Sequence, residues 1–418
     1  MATRPRLWRR PLAPVASLLA GARLLLAVPV GYLTVLTGAA WVATIAGRGR
    51  RARTPSPPVT RFAVLIPAHD EEQVLGPTLR AMALLDYPAD LHRVHVVADH
   101  CTDRTVEIAR EAGVAVHEHT SDPRGKGPAL GWVTGRVLDT GNGDPPPDAF
   151  VIVDADTIVD RGFLLELDRT MASGHPAVQG QYRVRDPEDS PAAGLRAAAL
   201  ACRHHLRPLG RTAVGGSSGL YGNGMAFAAA IQRERVWSDH LTEDIEFQME
   251  LLLDDVLVAY APRAVVEAQM PATLAGATTQ NERWERGRLE LARRYLPPLM
   301  RRAINPSTRH RIATVDAALD HLVPPLSVLG AAVGAVTMAS GVVATVRRTK
   351  WGSGPLLCVA LAAHVGSGLV LARVPASVYR SLLHAPAMVL WKVRLWLRML
   401  ARPGEGGWVR TAREGADQ

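Results

Sequence analysis

Two stretches without a formal charge, residues 24–46 and 322–346, bracket a long middle segment that alternates polar and apolar residues. Each exceeds the roughly 20 residues needed to cross a bilayer. A third run, 351–372, is uncharged apart from the option of protonating His364. The chain is therefore expected to carry one globular unit between membrane segments. Arginines gather at the ends of the apolar runs: Arg48, Arg50, Arg51 and Arg53 follow the first, and Lys392, Arg394 and Arg398 follow the last. With a formal net charge of +9, this reads as a positive-inside signal and contact with anionic membrane lipids. Nucleic acid is not an expected partner, because no aromatic–basic interleaving or recognised module is present.

The composition divides the 418 residues into an N-terminal membrane anchor (1–53), a globular domain (54–310), a C-terminal transmembrane region (311–400) and a polar tail (401–418) not expected to fold. Arg23 interrupts the first apolar stretch, which leaves one tilted span or a tight hairpin open. Arg380 and His384 interrupt residues 374–391, which can lie in the membrane interface instead of crossing it. Arg4, Arg6, Arg9 and Arg10 resemble a signal-peptide n-region, but the apolar stretch after them is too long and lacks a clear cleavage site. Cys101, Cys202 and Cys358 are widely spaced and odd in number, so neither a disulfide framework nor a zinc site is expected. The histidines, among them His92, His95, His100, His117, His119, His204 and His205, show no metal-ligand spacing and read as surface or core residues.

The globular unit opens as an alternation of strands (61–66, 93–98, 114–116, 150–153) and helices (74–85, 102–111, 127–138). That pattern implies a doubly wound, mostly parallel α/β sheet. Ligands in such sheets bind beyond the carboxyl ends of the strands, which here carry Ala68, Asp70 and Glu71, then Asp99, then Asp154. Asp154-Ala155-Asp156 places two carboxylates at a strand end. They can hold a hard divalent cation together with phosphate oxygens, or form a solvated acidic turn. Asp103 suits the first turn of a helix as well as it suits the crevice. Gly125-Lys126-Gly127 can bring an ammonium to a phosphate or form a plain turn; it is not a Walker A loop. Residues 215–224 (GGSSGLYGNG) read as a mobile or closely packed loop. Thr242-Glu243-Asp244 begins a helix whose Ile245, Met249 and Leu252 share one apolar face. Thr242 suits the N-cap and the acids suit the dipole, which is a sufficient structural account. The same position also lets Asp244 accept a proton from a hydroxyl in the crevice. In the charged stretch 280–288 (QNERWERGR), Trp284 is the odd residue: an indole there calls for a ligand or a surface to cover. Arg283 beside it can fork onto phosphate oxygens.

Taken in order, Pro67-Ala68-His69-Asp70-Glu71, Asp99, Lys126, Asp154-Ala155-Asp156, Thr242-Glu243-Asp244 and Gln280-x-x-Arg283-Trp284 resemble a family 2 glycosyltransferase of the inverting GT-A type. The resemblance spans residues 60–300 and is to the branch that includes cellulose, chitin and hyaluronan synthases. It implies a GT-A nucleotide-sugar-binding domain flanked by transmembrane helices. Ala68 and Glu71 would line the base and ribose, Asp99 would contact the uracil end, and Lys126 would lie near the diphosphate. Asp154 would belong to the nucleotide site and Asp156 would ligate Mg2+ or Mn2+. Asp244 would be the catalytic base, and Gln280, Arg283 and Trp284 would hold the diphosphate and the acceptor sugar. The sequence departs from the family pattern at Asp70, where asparagine is usual, at His100-Cys101-Thr102 and at Gly222-Asn223-Gly224-Met225. The activity implied is transfer from a nucleotide sugar, with a UDP-sugar foremost, to a glycan or lipid-linked acceptor, leaving a β-linkage. A processive polysaccharide synthase and a non-catalytic scaffold are the alternatives. The protein is expected in the cell membrane with its catalytic domain in the cytoplasm, and a homo-oligomer is compatible with this.

Overall fold

The computed structural model describes residues 12–49, 57–139, 145–233, 242–269 and 278–401, together with 235, 237, 238 and 240. The expected linker falls partly, and the polar tail almost wholly, outside these residues. Helix α1 (Leu12–Gly49) runs unbroken for 38 residues, about 57 Å at 1.5 Å per residue. Arg23 does not break it into a hairpin, because its guanidinium donates to Ser340 Oγ at 2.7 Å and so finds a polar partner on a neighbouring helix.

The first half of the globular unit follows the expected alternation: β1 (Phe62–Ala68), α2 (Leu75–Ala83), β2 (His92–Asp99), α3 (Thr105–Glu111), β3 (Ala115–His119), α4 (Lys126–Leu138) and β4 (Ala149–Ile152). β1 pairs in parallel with β2 on one side and β4 on the other, and β3 pairs with β2. Phe62, Val64 and Ile66 pack into the core on one face of the sheet, while Ala63 and Leu65 pack into the core on the other. Helices cover both faces, so β1 is apolar without alternation. Strand order reverses between β1 and β4, and the crevice opens at their carboxyl ends.

The second half is more mixed. It comprises β5 (Thr157–Val159), α5 (Phe163–Ala172), β6 (Ala177–Val184), α6 (Pro191–Leu200), α7 (Arg207–Ala213), β7 (Met225–Ala228), α8 (Ala229–Arg233), α9 (Glu243–Leu253) and β8 (Val258–Ala268), with a π-helical turn Ala201–Leu206 joining α6 to α7. β7 runs antiparallel to both β4 and β6, and β8 is parallel to β6 but antiparallel to β5. The eight-stranded order is β3-β2-β1-β4-β7-β6-β8-β5. β6 escapes the sequence pattern for a physical reason. It carries Gln179, Gly180 and Gln181 in succession, and its pairing with β8 shifts register between Gly180 and Gln181.

The chain then continues through α10 (Thr278–Ile304), α11 (Arg311–Leu322), α12 (Leu326–Arg347), α13 (Gly354–Ala372), α14 (Ala376–Ser381) and α15 (Ala385–Ala401). Among the described residues, α1, α12 and α13 are long and apolar enough to cross a membrane. Polar pairs join them: Thr37 Oγ1 lies 2.8 Å from His364 Nδ1, and Trp41 Nε1 donates to Ser367 Oγ at 3.0 Å. α15 instead crosses α10, where its buried Lys392 donates to Asn281 Oδ1 at 2.8 Å and pairs with Glu285 at 2.9 Å. The globular unit is docked on the first apolar helix through α7, where a Cβ on Gly210 would lie 2.3 Å from the Leu36 carbonyl oxygen. Gly210→Val is accordingly expected to cost about 1–3 kcal/mol, read as a lower thermal midpoint in detergent. An unchanged midpoint would contradict so close an approach of α7 to α1.

Candidate functional site

The end of β4 turns sharply through Asp154-Ala155-Asp156, and the turn is clamped from two sides. Thr78 Oγ1 donates to the Ala155 carbonyl at 2.8 Å. Asn223, fully buried, accepts from the Asp154 amide at 3.2 Å and donates to Thr157 Oγ1 at 2.8 Å. The acidic pair is thus a fixed feature of the crevice and not a loose solvated turn. The 215–224 loop supplies Asn223 and is closely packed, with Ser217, Ser218 and Asn223 buried.

Lys126 opens α4 and points into the same place. Its Nζ donates to Asp154 Oδ1 at 2.5 Å and to the Gly222 carbonyl at 2.7 Å. Burial works against its charge, but the Asp154, Glu243 and Asp244 carboxylates outweigh this and raise its pKa. Asp244 and Glu243 stand at the start of α9, so the fold brings Lys126, Asp154 and Asp244 together from three elements. Burial raises the Asp244 carboxyl despite the opposing charges of Lys126 and Arg203. Burial and the Asp244 charge together push Glu243 up to about 7.

Thr242 does not cap α9 with its side chain. It is buried instead and packs against Gly287 of α10, where a Cβ would lie 2.6 Å from Thr242 Cγ2. This contact seats the Thr242-Glu243-Asp244 segment on the helix that carries Gln280, Arg283 and Trp284. All three residues lie in the first two turns of α10; the side chains of Gln280 and Arg283 are outside the described atoms. α9 lies between two cores: Met249 and Leu252 face α10 and α11, while Phe247 and Leu251 face the sheet. Arg196 of α6 lies over the Trp284 ring, 5.7 Å from its centroid. Burial, with the Asp156 and Asp154 carboxylates, raises the Tyr182 phenol, and Arg196 opposes them. Tyr182 and Arg196 therefore connect Trp284 to the acidic turn. Sequence patterns do not single out Tyr182 or Arg196, and they reach Asn223 only as part of the Gly222–Met225 segment, because only tertiary crossing brings these side chains to the site.

At the other end of the crevice, Ala68 closes β1 and is buried. The Glu71 carbonyl accepts from Val74 and Leu75 at the start of α2, and its amide donates to Thr105 Oγ1 at 2.7 Å. The Asp99 carboxylate is turned inward: Oδ1 accepts from His100 and His119, each at 2.8 Å, and Oδ2 accepts from the Gly125 amide at 3.0 Å. Burial works to raise its pKa, but these hydrogen bonds lower it overall. Asp99 thus ties β2 and β3 to the loop that presents Lys126. Asp103 accepts from the Thr105 amide at 2.9 Å and from the Glu72 amide at 3.0 Å, a local structural role at the start of α3.

Among the described residues, potential ligand atoms converge in Asp99/His100/His119 and in Asp70/Cys101/Asp103. Asp99 accepts from both His100 and His119, and Asp70 accepts from the Thr102 amide at 2.7 Å. The fit of a hard cation is better judged at Lys126, whose ammonium already sits against Asp154 Oδ1 and the Gly222 carbonyl. Asp156 stands on the same turn, and the donors there are oxygens, the ligand type that hard divalent cations take.

A family model described as glycosyltransferase like family 2 matches residues 57–287. The probable glycosyltransferase YdaM of Bacillus subtilis is 27% identical over 240 residues, covering 56% of this chain and 57% of the relative. A beta-monoglucosyldiacylglycerol synthase of Synechocystis sp. is 27% identical over 236 residues, covering 55% of this chain and 48% of the relative. The chain thus spans about half the length of these curated relatives. Among solved structures, the mannosyltransferase PcManGT from Pyrobaculum calidifontis, in complex with GDP-Man and Mn2+, aligns with a TM-score of 0.48 at 19% identity, over 88% of this chain and 99% of that one.

Proposed function

This chain belongs to the glycosyltransferase-like family 2, and on that premise we propose that it is a membrane-bound inverting glycosyltransferase. It moves a sugar from a nucleotide-sugar donor, foremost a UDP-sugar, to a hydroxyl of a glycan or lipid-linked acceptor and leaves a β-linkage. One observation carries the reading: Lys126 bonds Asp154 while lying within electrostatic reach of Asp244. A site for a diphosphate and a carboxylate base thereby meet at one ammonium.

Asp154 and Asp156 would hold a Mg2+ or Mn2+ ion, which neutralises charge on a diphosphate leaving group. Lys126 adds a fixed positive charge at the same place, so no general acid is required. Asp244 accepts the proton of the acceptor hydroxyl as that oxygen attacks the anomeric carbon. A single in-line displacement inverts that carbon. Trp284, held in place by Arg196, offers its face to the acceptor ring. Ala68 and Glu71 line the base and ribose. Asp99 acts on the nucleotide end through the Gly125–Lys126 loop, since its own oxygens are engaged. Gln280 and Arg283 serve the diphosphate and the acceptor. Three apolar helices favour single transfers over a polymer channel.

The test is a panel of UDP-sugars incubated with membranes that contain the protein. One donor should yield an acceptor heavier by one sugar residue; no donor-dependent product from any member would overturn the reading. The acid limb of the transfer rate should lie above the ordinary carboxylate range of about 4, since burial raises Asp244 and a base of raised pKa is protonated, and idle, at higher pH than usual. A limb at or below pH 4 would contradict the role of the Glu243/Asp244 pair.

The domain division is that of the sequence: anchor 1–53, catalytic unit 54–310, membrane region 311–400 and tail 401–418. The catalytic unit faces the cytoplasm, where nucleotide sugars are made and where the arginines after α1 would place it. Carbonate washing should leave the protein in the membrane pellet. Its release into the supernatant would rule out integral insertion.

A further inference from the structure

Four guanidinium groups meet where α7, α10 and α11 converge below the crevice. Arg207 pairs with Asp320 at 2.9 Å, and Arg211 pairs with Asp316 at 2.7 Å. Tyr32 of α1 also donates to Asp316, at 2.8 Å. The other two, Arg203 on the π-helical turn and Arg288 on α10, make no ion pair among the described residues. Arg288 has one long hydrogen bond, 3.4 Å, to the Val323 carbonyl. Burial lowers Arg288 to about 10, with the charge of Arg203 adding to the effect. Glu285 and Asp320 also act on Arg288, and Asp320 on Arg203, but Glu285 is already held by Lys392 and Asp320 by Arg207. Buried nitrogens of Arg207 and Arg211 also lack hydrogen-bond partners: Nε of the first and Nη2 of the second. Four guanidinium groups share Asp316 and Asp320, and positive charge gathered out of water in excess of its counter-charge is costly, so an anion would relieve it.

The position of the cluster indicates which anion. Arg203 lies close enough to Asp244 to lower its pKa, and its carbonyl accepts from Tyr221 Oη at 3.4 Å. Arg288 follows Trp284 by four residues on α10, a spacing that puts both on one helix face. The Asp320 side chain, 26% exposed, leaves the cluster open on the side of α11 and the membrane helices. The surplus charge therefore lies beside the base and the proposed acceptor platform, on the side of the protein where the apolar helices begin.

We propose that Arg203 and Arg288 form a subsite for a phosphate group carried by the acceptor, next to the hydroxyl that Asp244 deprotonates. This rests on the transferase reading above and narrows its acceptor to a phosphate-bearing molecule, whether a lipid headgroup or a soluble phosphate ester. Arg207 and Arg211 hold the floor of the subsite through Asp320 and Asp316.

The test uses the full chain in phosphatidylcholine nanodiscs, titrated by calorimetry with glycerol 3-phosphate, with glycerol as the uncharged control, and with UDP plus Mn2+. Glycerol 3-phosphate should bind saturably and glycerol should not. Arg203→Gln and Arg288→Gln should each weaken glycerol 3-phosphate binding at least tenfold and leave UDP binding unchanged, and Arg203→Lys should recover most of the loss. Neither arginine makes a direct ion pair among the described residues, and Asp320 keeps Arg207 and Arg211 in either variant, so the thermal midpoints of the Gln variants should not fall markedly; a marked fall would assign the two arginines to the fold and overturn the subsite. Replacing a tenth of the lipid by phosphatidylglycerol should weaken the soluble titration if the phosphate is lipid-borne and leave it unchanged if it is soluble. UDP binding without glycerol 3-phosphate binding, or equal phosphate binding in the Gln variants, would overturn this inference alone. Glycerol 3-phosphate binding without UDP binding would sink the transferase reading instead.

Discussion

Asp244→Asn is expected to lower sugar transfer by roughly 100-fold or more while UDP-sugar affinity stays near that of the parent protein. The substitution keeps the size of the side chain and removes only the basic carboxylate. Donor affinity is spared because the diphosphate is assigned to the Lys126 and Asp154/Asp156 side of the crevice. If Asp244 served only the α9 dipole, the change would cost on the order of 1 kcal/mol of stability and little activity. Binding and transfer measured on one purified variant separate the two cases, and near-normal transfer by a stable Asp244→Asn protein would remove the base from the mechanism. Trp284→Ala should fail differently. It should impair acceptor use and raise futile donor hydrolysis relative to transfer, because the platform is lost and the base is kept.

Asp156→Ala is expected to abolish metal-dependent transfer and leave the fold intact. The side chain is only partly buried, and the clamps on its turn come from Thr78 and Asn223, so the backbone geometry survives its removal. In the parent protein, EDTA should stop turnover and Mg2+ or Mn2+ should restore it. Full activity in excess EDTA would exclude the cation role assigned to Asp154 and Asp156. Lys126 sharpens the expectation, since its ammonium already occupies the space against Asp154. A cation added there must compete with or displace it, and Lys126→Met should therefore tighten apparent metal binding while weakening diphosphate binding.

Much of this site was legible in the chain because its parts sit at ends of well-marked elements. β1 and β4 are continuous apolar runs and β2 ends in one, Val96–Ala98, and their carboxyl ends name Ala68, Asp99 and Asp154 directly. Long uncharged runs mark α1, α12 and α13 just as clearly. Legibility fails where a residue works through a distant partner. Thr242 has the chemistry of a cap, yet its side chain is spent on packing against Gly287, forty-five positions later. Asp99 looks like a free acid at a strand end, yet two histidines and the Gly125 amide consume it. Asn223, Tyr182, Arg196 and Arg203 carry no local signal: one lies in a glycine loop, one on a strand broken by Gly180, one on an alanine-rich helix and one on a π-helical turn. Tertiary crossing alone brings them beside the acidic turn and the base. The antiparallel edge was missed for a related reason, since β5 has three residues and β6 mixes glutamines with glycine.

The most direct measurement is the anomeric configuration of the product made from an α-linked UDP-sugar by the purified protein, read by NMR on the isolated acceptor. Direct displacement with Asp244 as the base predicts a β-glycoside, with one UDP released for each sugar transferred. An α-glycoside would contradict a single in-line attack and the role of Asp244 with it.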